Sequence, residues 1–298
     1  MAQYNNYTVV YENNRGNRIT LTELPYAINI EPLLDYSWAY ATRDRRRGSR
    51  VAGFNKPVAT KDLTLFVIAD TVEKRDEAID ALNNVIEVDI YDGKAGKIYF
   101  NDWFTYGYIV SSANTKWQYD VGIIKKDVSF VREEETWYHI ISRSSYSEIE
   151  DDQAEFETGI KDYELNEDTN LVGYDYAYDY GKDLISETEI INPNPLGCNF
   201  IINISGPVTN PYIRIGSTVI NVNIEVTDGS YLVVDSTEKT INLYRADGVI
   251  INAFGARNPD YYIFQLIESG DNAIVWAGGY RWELQMIEER SEPRWLMG

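Results

Sequence analysis

Residues 228–244 read Asp-Gly-Ser-Tyr-Leu-Val-Val-Asp-Ser-Thr-Glu-Lys-Thr-Ile-Asn-Leu-Tyr, and the fold is decided there. Asp228-Gly229 is a turn signal, Tyr231 to Val234 a short β-rich run, and Thr240 to Tyr244 a second run of alternating character. The same rhythm extends both ways from this segment. Phe200 to Ile204, Tyr212 to Ile215, Val219 to Val226, Tyr262 to Ile267, Ala273 to Ala277 and Arg281 to Ile287 are further runs of this kind. Gly206-Pro207, Asp247-Gly248, Gly270-Asp271 and Gly278-Gly279 separate them. Short strands at this spacing predict a β-sandwich or jelly roll from Gly197 onward.

Toward the N-terminus the pattern is β with one helix inserted. Tyr7 to Tyr11 and Ile19 to Leu21 flank a polar turn, and Asp62 to Ala69 is a half-apolar run. Thr71 then supplies an N-cap, and Val72, Ile79, Leu82 and Ile86 fall on one helical stripe. Lys97 to Phe100, Tyr106 to Ser111 and Trp117 to Arg132 read as strands. The expected fold class is therefore mainly β. It comprises an N-terminal domain over 1–140 and a C-terminal sandwich over 141–298.

Composition narrows the chemistry. The chain has 298 residues, with 27 Lys plus Arg against 47 Asp plus Glu, a formal charge of −20. That field repels a phosphate backbone and an anionic membrane, so neither is an expected partner. A single Cys, Cys198, excludes an intramolecular disulfide, and a single His, His139, excludes a multi-histidine metal centre. No leader-like segment and no run long enough to span a bilayer is seen, so synthesis in a cytoplasm is expected. Tyr is in excess, at 24 residues, which suits half-wet strands and interfaces better than a dry core.

The charge is uneven. Residues 1–50 hold seven basic and five acidic residues, whereas residues 151–200 hold 13 acidic and two basic ones. That acidic stretch reads as an elaboration with a different job from its surroundings, or else as a solvated linker between two domains. Within it Tyr174, Tyr176, Tyr178 and Tyr180 alternate with Asp175, Ala177 and Asp179. In a strand the four rings would share one face, suited to a partner protein or a sugar, or else to covering the chain's own sheet. The opposite feature is Arg43-Asp44-Arg45-Arg46-Arg47-Gly48-Ser49-Arg50, beside Trp38 and Tyr40. Five Arg on an acidic protein predict a contact with an acidic neighbour, such as a second copy, unless the run is a solvated hairpin tip.

Catalytic patterns are scarce. There is no phosphate loop, dinucleotide fingerprint or zinc motif. His139 lies in an apparent strand between Tyr138 and Ile140, and Cys198 reads as a small core residue. A carboxylate pair beside aromatic rings leaves an acidic glycosidase as one alternative. A carbohydrate-binding sandwich, with Tyr174 to Tyr180 or Trp276 and Trp282 as platform, is another. No metal site and no cofactor is expected, although abundant oxygen ligands leave calcium open.

The order of these features resembles the distal tail proteins (Dit) of long-tailed phages that infect Gram-positive bacteria, nearest to those of lactococcal phage baseplates. The residues that carry it are Asp35 to Arg50, the helix Lys74 to Leu82, Lys97 to Phe100 and Trp117 to Phe130. Asn210 to Gly216, Asp228 to Asp235, Lys239 to Ile241, and Tyr262 to Leu266 followed by Glu268 to Ile274 continue it. The resemblance implies a non-enzymatic virion component at the tail tip. It implies an N-terminal belt that forms a homo-hexameric ring, and a galectin-like C-terminal sandwich. The ring would join the tail tube protein to the tail-tip protein and anchor receptor-binding proteins. On that reading Trp38, Arg43, Arg45, Arg46, Arg47 and Arg50 belong to a subunit interface. The acidic stretch looks like an arm-like insertion into the sandwich at about 145–196, and Tyr174, Tyr176, Tyr178, Tyr180, Asp175 and Asp179 belong to that partner-binding arm.

Overall fold

A computed structural model describes residues 7–117, 122–145 and 186–294. It divides into two compact units, Met1–Ile141 with Ile287–Gly298, and Ser142–Met286. The protein is mainly β, as its alternating runs predict.

In the first unit β1 (Val9–Glu12), β2 (Arg18–Thr20), β3 (Tyr26–Asn29), the short α1 (Glu31–Leu34), β4 (Ala39–Asp44) and β5 (Ser49–Asn55) come first. β6 (Ala59–Ile68), the helix α2 (Val72–Asp92), β7 (Gly96–Phe100), β8 (Trp103–Trp117), β9 (Ile123–Arg132) and β10 (Trp137–Ser144) follow. β8 organises the unit. Its first part pairs with β7, and its second part pairs with β9. β7 in turn carries β1 and β2, and β9 carries β6 and β3. Trp117, expected to open a strand ending at Arg132, instead closes β8.

Alternation decides which side is dry. Leu63, Leu65 and Val67 of β6 and Ile124, Val128 and Phe130 of β9 point into one core, against Ala78, Leu82 and Ile86 of α2. Each of the Val, Leu, Ile and Phe side chains among them contributes about 1.5–3 kcal/mol by leaving water. Thr71 caps α2 by accepting from the Lys74 amide at 3.3 Å, and Gly93 ends it with φ of 61°. The helix is fastened at its far end as well. Asp89 accepts from the Tyr11 hydroxyl at 2.5 Å and from the Asn14 amide at 2.7 Å. A Cβ at Gly96 would stand 2.2 Å from that carboxylate, so β7 begins with the one residue that fits.

The second unit is a two-layer sandwich. Its strands are β11 (Ser186–Asn192), β12 (Asn199–Ser205), β13 (Val208–Thr209), β14 (Tyr212–Ile215), β15 (Thr218–Asn221) and β16 (Glu225–Val226). β17 (Tyr231–Asp235), β18 (Thr240–Tyr244), β19 (Ile250–Asn252), β20 (Gly270–Trp276) and β21 (Arg281–Arg290) complete it. One layer runs β19-β18-β17-β12-β21 and the other β11-β20-β14-β15. Ile202, Ile204, Leu232, Val234, Leu284 and Met286 of the first layer and Ile213, Ile215, Ile220 and Ile274 of the second are buried. Trp276 of β20 meets Trp282 of β21 edge-on at 5.2 Å across the layers.

Two expectations change here. Tyr262 to Ile267 is not a strand: its backbone turns, with the Gln265 amide bonded to the Tyr262 carbonyl at 3.1 Å. Ile263 and Phe264 are both buried, and two adjacent inward residues are incompatible with a period of two. The end of the acidic stretch is also structural. Residues 186–192 form β11, which pairs with β20 along seven residues, from Ser186↔Trp276 to Asn192↔Gly270.

Candidate functional site

The Arg run lies on a hairpin of unusual exposure. β4 and β5 pair from Ala39↔Asn55 to Asp44↔Ser49, with one register shift between Ala41 and Thr42. The turn closes through the Arg45 amide and the Gly48 carbonyl at 2.9 Å, with Gly48 at φ of 81°. Both strands are exposed at every position, and neither joins another sheet among the described residues. Tyr40 and Phe54, cross-strand partners, are 64% and 66% exposed. A two-stranded ribbon that buries neither face is marginal in water on its own.

Its electrostatics point the same way. Arg43 and Arg50 are direct cross-strand neighbours, a like-charge pair that weakens a free hairpin. Arg45, Arg46 and Arg47 crowd the turn, and Asp44 is the one acid of the segment, held by the Ser49 hydroxyl at 2.8 Å. Among the described residues no carboxylate pairs with any of the five guanidinium groups.

The root of the hairpin, by contrast, is clamped. Glu135 is fully buried, and one of its carboxylate oxygens accepts from the Ser37 amide at 2.6 Å and the Ser37 hydroxyl at 3.0 Å. Its other oxygen meets the Lys61 ammonium at 2.6 Å, and Lys61 also donates to the Asp35 carbonyl at 2.8 Å. Burial pushes the Glu135 carboxyl up, but Lys61 and Ser37 outweigh it and hold it below the usual carboxylate range. On the other side Lys56 donates to the Thr136 hydroxyl at 2.9 Å, with its ammonium 4.9 Å from the Trp38 ring centre. Trp38 is therefore part of the root, 48% exposed, rather than of the tip. Behind the clamp, buried Arg132 donates to the Thr105 hydroxyl and the Leu33 carbonyl, and burial pulls its guanidinium down to about 10.

The other residues singled out from sequence fall elsewhere. His139 stacks on Trp103 at 5.1 Å, and its Nδ1 lies 3.4 Å from buried Glu288, which also meets Arg290 and Arg294. Cys198 is buried and bridges Ile267 through its backbone. Trp276 and Trp282 are 8% and 2% exposed, so they pack the sandwich and offer no sugar platform. Tyr174, Tyr176, Tyr178, Tyr180, Asp175 and Asp179 lie outside the described residues. Among the described residues no group of three or more His, Cys, Asp or Glu is placed to hold a metal. No described helix is long and apolar enough to cross a membrane.

No protein-family model and no curated protein sequence matches the chain. Solved structures do. The crystal structure of SPP1 Dit, described as a paradigm of the hub adsorption apparatus in phages infecting Gram-positive bacteria, aligns over 95% of this chain and 99% of its own. The identity is 13% and the TM-score 0.55. The chain has the Dit fold. Chains of the phage P2 baseplate in its activated conformation extend the agreement beyond SPP1 Dit. With Ca the alignment covers 96% of this chain and 99% of that one, at 11% identity and a TM-score of 0.59. With Sr it covers the same shares at 12% identity and a TM-score of 0.57. The resemblance carried by the order of motifs is thus a resemblance of the Dit fold, kept at an identity too low for sequence comparison to register.

Proposed function

We propose that this protein is a structural hub of a phage tail baseplate, a virion component that assembles as a hexameric ring. In this reading the ring joins the tail tube to the tail-tip protein, and receptor-binding proteins are anchored by the sandwich unit and the acidic stretch. The Dit fold supports a baseplate role. The observation that carries assembly is the hairpin over 39–55, exposed on both faces, positively charged and clamped at its root. A ring of identical subunits needs two different, mutually matching faces. On a chain of charge −20, an Arg-rich ribbon finds its complement on the next copy. Burying Tyr40 and Phe54 there would supply the packing that the free ribbon lacks.

The test is solution mass. Six copies of 34.3 kDa give about 206 kDa. Replacing Arg45, Arg46 and Arg47 by Ser is expected to shift the protein to smaller species, and an unchanged hexamer would overturn the assignment of this face.

A further inference from the structure

An outward face of the sandwich carries a groove. Alternation places it there. Ile202 and Ile204 point inward, so Asn203 and Ser205 of β12 point out, and Trp282 and Leu284 point inward, so Arg281 and Glu283 of β21 point out. Tyr231 of β17 pairs with Ser205 and joins the same face, and the Asp228-Gly229 turn closes one end. The groove is open to solvent and has a volume of about 750 Å³, within the size range of small-ligand sites.

Its walls are fixed before any ligand arrives. The Tyr231 ring lies parallel to that of Tyr244, with centroids 4.9 Å apart. The Tyr280 hydroxyl donates to the Tyr212 carbonyl at 2.6 Å, and burial pushes that phenol up to about 12, so it stays a neutral donor. At the rim a Cβ on Gly206 would stand 2.1 Å from the Thr227 carbonyl, so this loop packs tightly against its neighbour. Ser230 is held by Thr227 at 3.0 Å and by the Ala246 amide at 3.1 Å. Ordering costs on binding are correspondingly small.

The groups left to act are chemically consistent. Among the described residues the side chains of Asn203, Asp228 and Glu283 make no hydrogen bond or ion pair, and Tyr231 is 42% exposed. Planar amide and carboxylate tips bind neighbouring hydroxyls in pairs, and a tyrosine face receives the C–H side of a pyranose ring. Two carboxylates against one guanidinium leave the groove net negative, which disfavours anionic ligands. We infer that this groove binds a neutral saccharide, with Tyr231 as platform and Asn203, Asp228 and Glu283 as hydroxyl partners.

The full-length protein, in whatever assembly state it adopts, is probed by saturation-transfer NMR. The neutral probes are methyl galactoside, methyl glucoside, rhamnose and N-acetylglucosamine, and glucose 6-phosphate is the anionic probe. Transfer to at least one neutral sugar is expected, weakened about tenfold by Tyr231→Ala and by Glu283→Gln with solution mass unchanged. Glu283→Gln keeps the shape of the side chain, so a loss there cannot be ascribed to misfolding. The inference is overturned by absence of transfer from every neutral sugar, by preference for glucose 6-phosphate, or by binding that neither substitution alters.

Discussion

Replacing Glu135 by Gln tests how the hairpin is aimed. The carboxylate sits 2.6 Å from the Lys61 ammonium, and the two side chains are 1% and 15% exposed. At an effective dielectric constant of about 20, the gross attraction at that distance is about 6 kcal/mol. Desolvation of both groups offsets most of it, and removing one member of such a pair costs about 3–5 kcal/mol because the other is left uncompensated. Lys61 keeps a second acceptor, the Asp35 carbonyl at 2.8 Å, and Gln keeps an oxygen for Ser37. The lower end applies, about 3 kcal/mol. For a unit of this size that lowers the melting temperature by about 5–10 °C. Calorimetry measures the shift, and limited trypsin digestion reads the hairpin directly, since Arg43 to Arg50 are its exposed targets. Faster cleavage there is expected once the ion pair with Lys61 no longer holds the root. A second substitution, Lys61→Met, is expected to recover part of the loss, because an apolar pair tolerates burial where a lone charge does not. A melting temperature within about 1 °C of the parent, with an unchanged cleavage rate, would refute the clamp.

Two further outcomes are expected, the first from the clamp and the second from the proposed hub role. Glu135 has its folded-state pKa depressed, so its stabilisation is present above the unfolded carboxylate value of about 4.3 and is lost as pH falls through the folded value. Calorimetry from neutral to acid pH is expected to show the gap between the parent and Glu135→Gln closing in that acid window, and a constant gap would contradict the assignment. Deleting residues 146–185, which spares β11, is expected to leave the ring mass at six shortened subunits while abolishing capture of receptor-binding protein in a pull-down. Retained capture excludes the acidic stretch as the docking arm.

Much of the fold is legible in residue order because its rules are local. Thr71, the stripe through Leu82 and Ile86, and Gly93 mark α2 by capping and period alone. Alternation in Tyr231 to Asp235 and Thr240 to Tyr244 marks two paired strands. The same rule misreads Tyr262 to Ile267, where the local turns interrupt the alternation. Trp276 and Trp282 read equally well as platform or core, since an aromatic ring at an alternating position carries no label for the face it meets.

The Arg cluster was visible from residues 43–50, but its setting was not. Glu135 lies about a hundred positions from Ser37, and no spacing rule links a buried carboxylate to the hairpin whose root it holds. The groove likewise draws on turns and strands from 203 to 283 that become neighbours only when the layers form. Sequence by itself determined the mainly β architecture, the long helix α2 and the polarity of charge along the chain, since periodicity, capping and composition act over a few residues. Tertiary structure alone decided which Arg-bearing ribbon stays uncovered, which carboxylate fixes it and which tyrosines face a cavity. Burial and long-range pairing are properties of the packed chain, and a residue's sequence neighbours do not encode them.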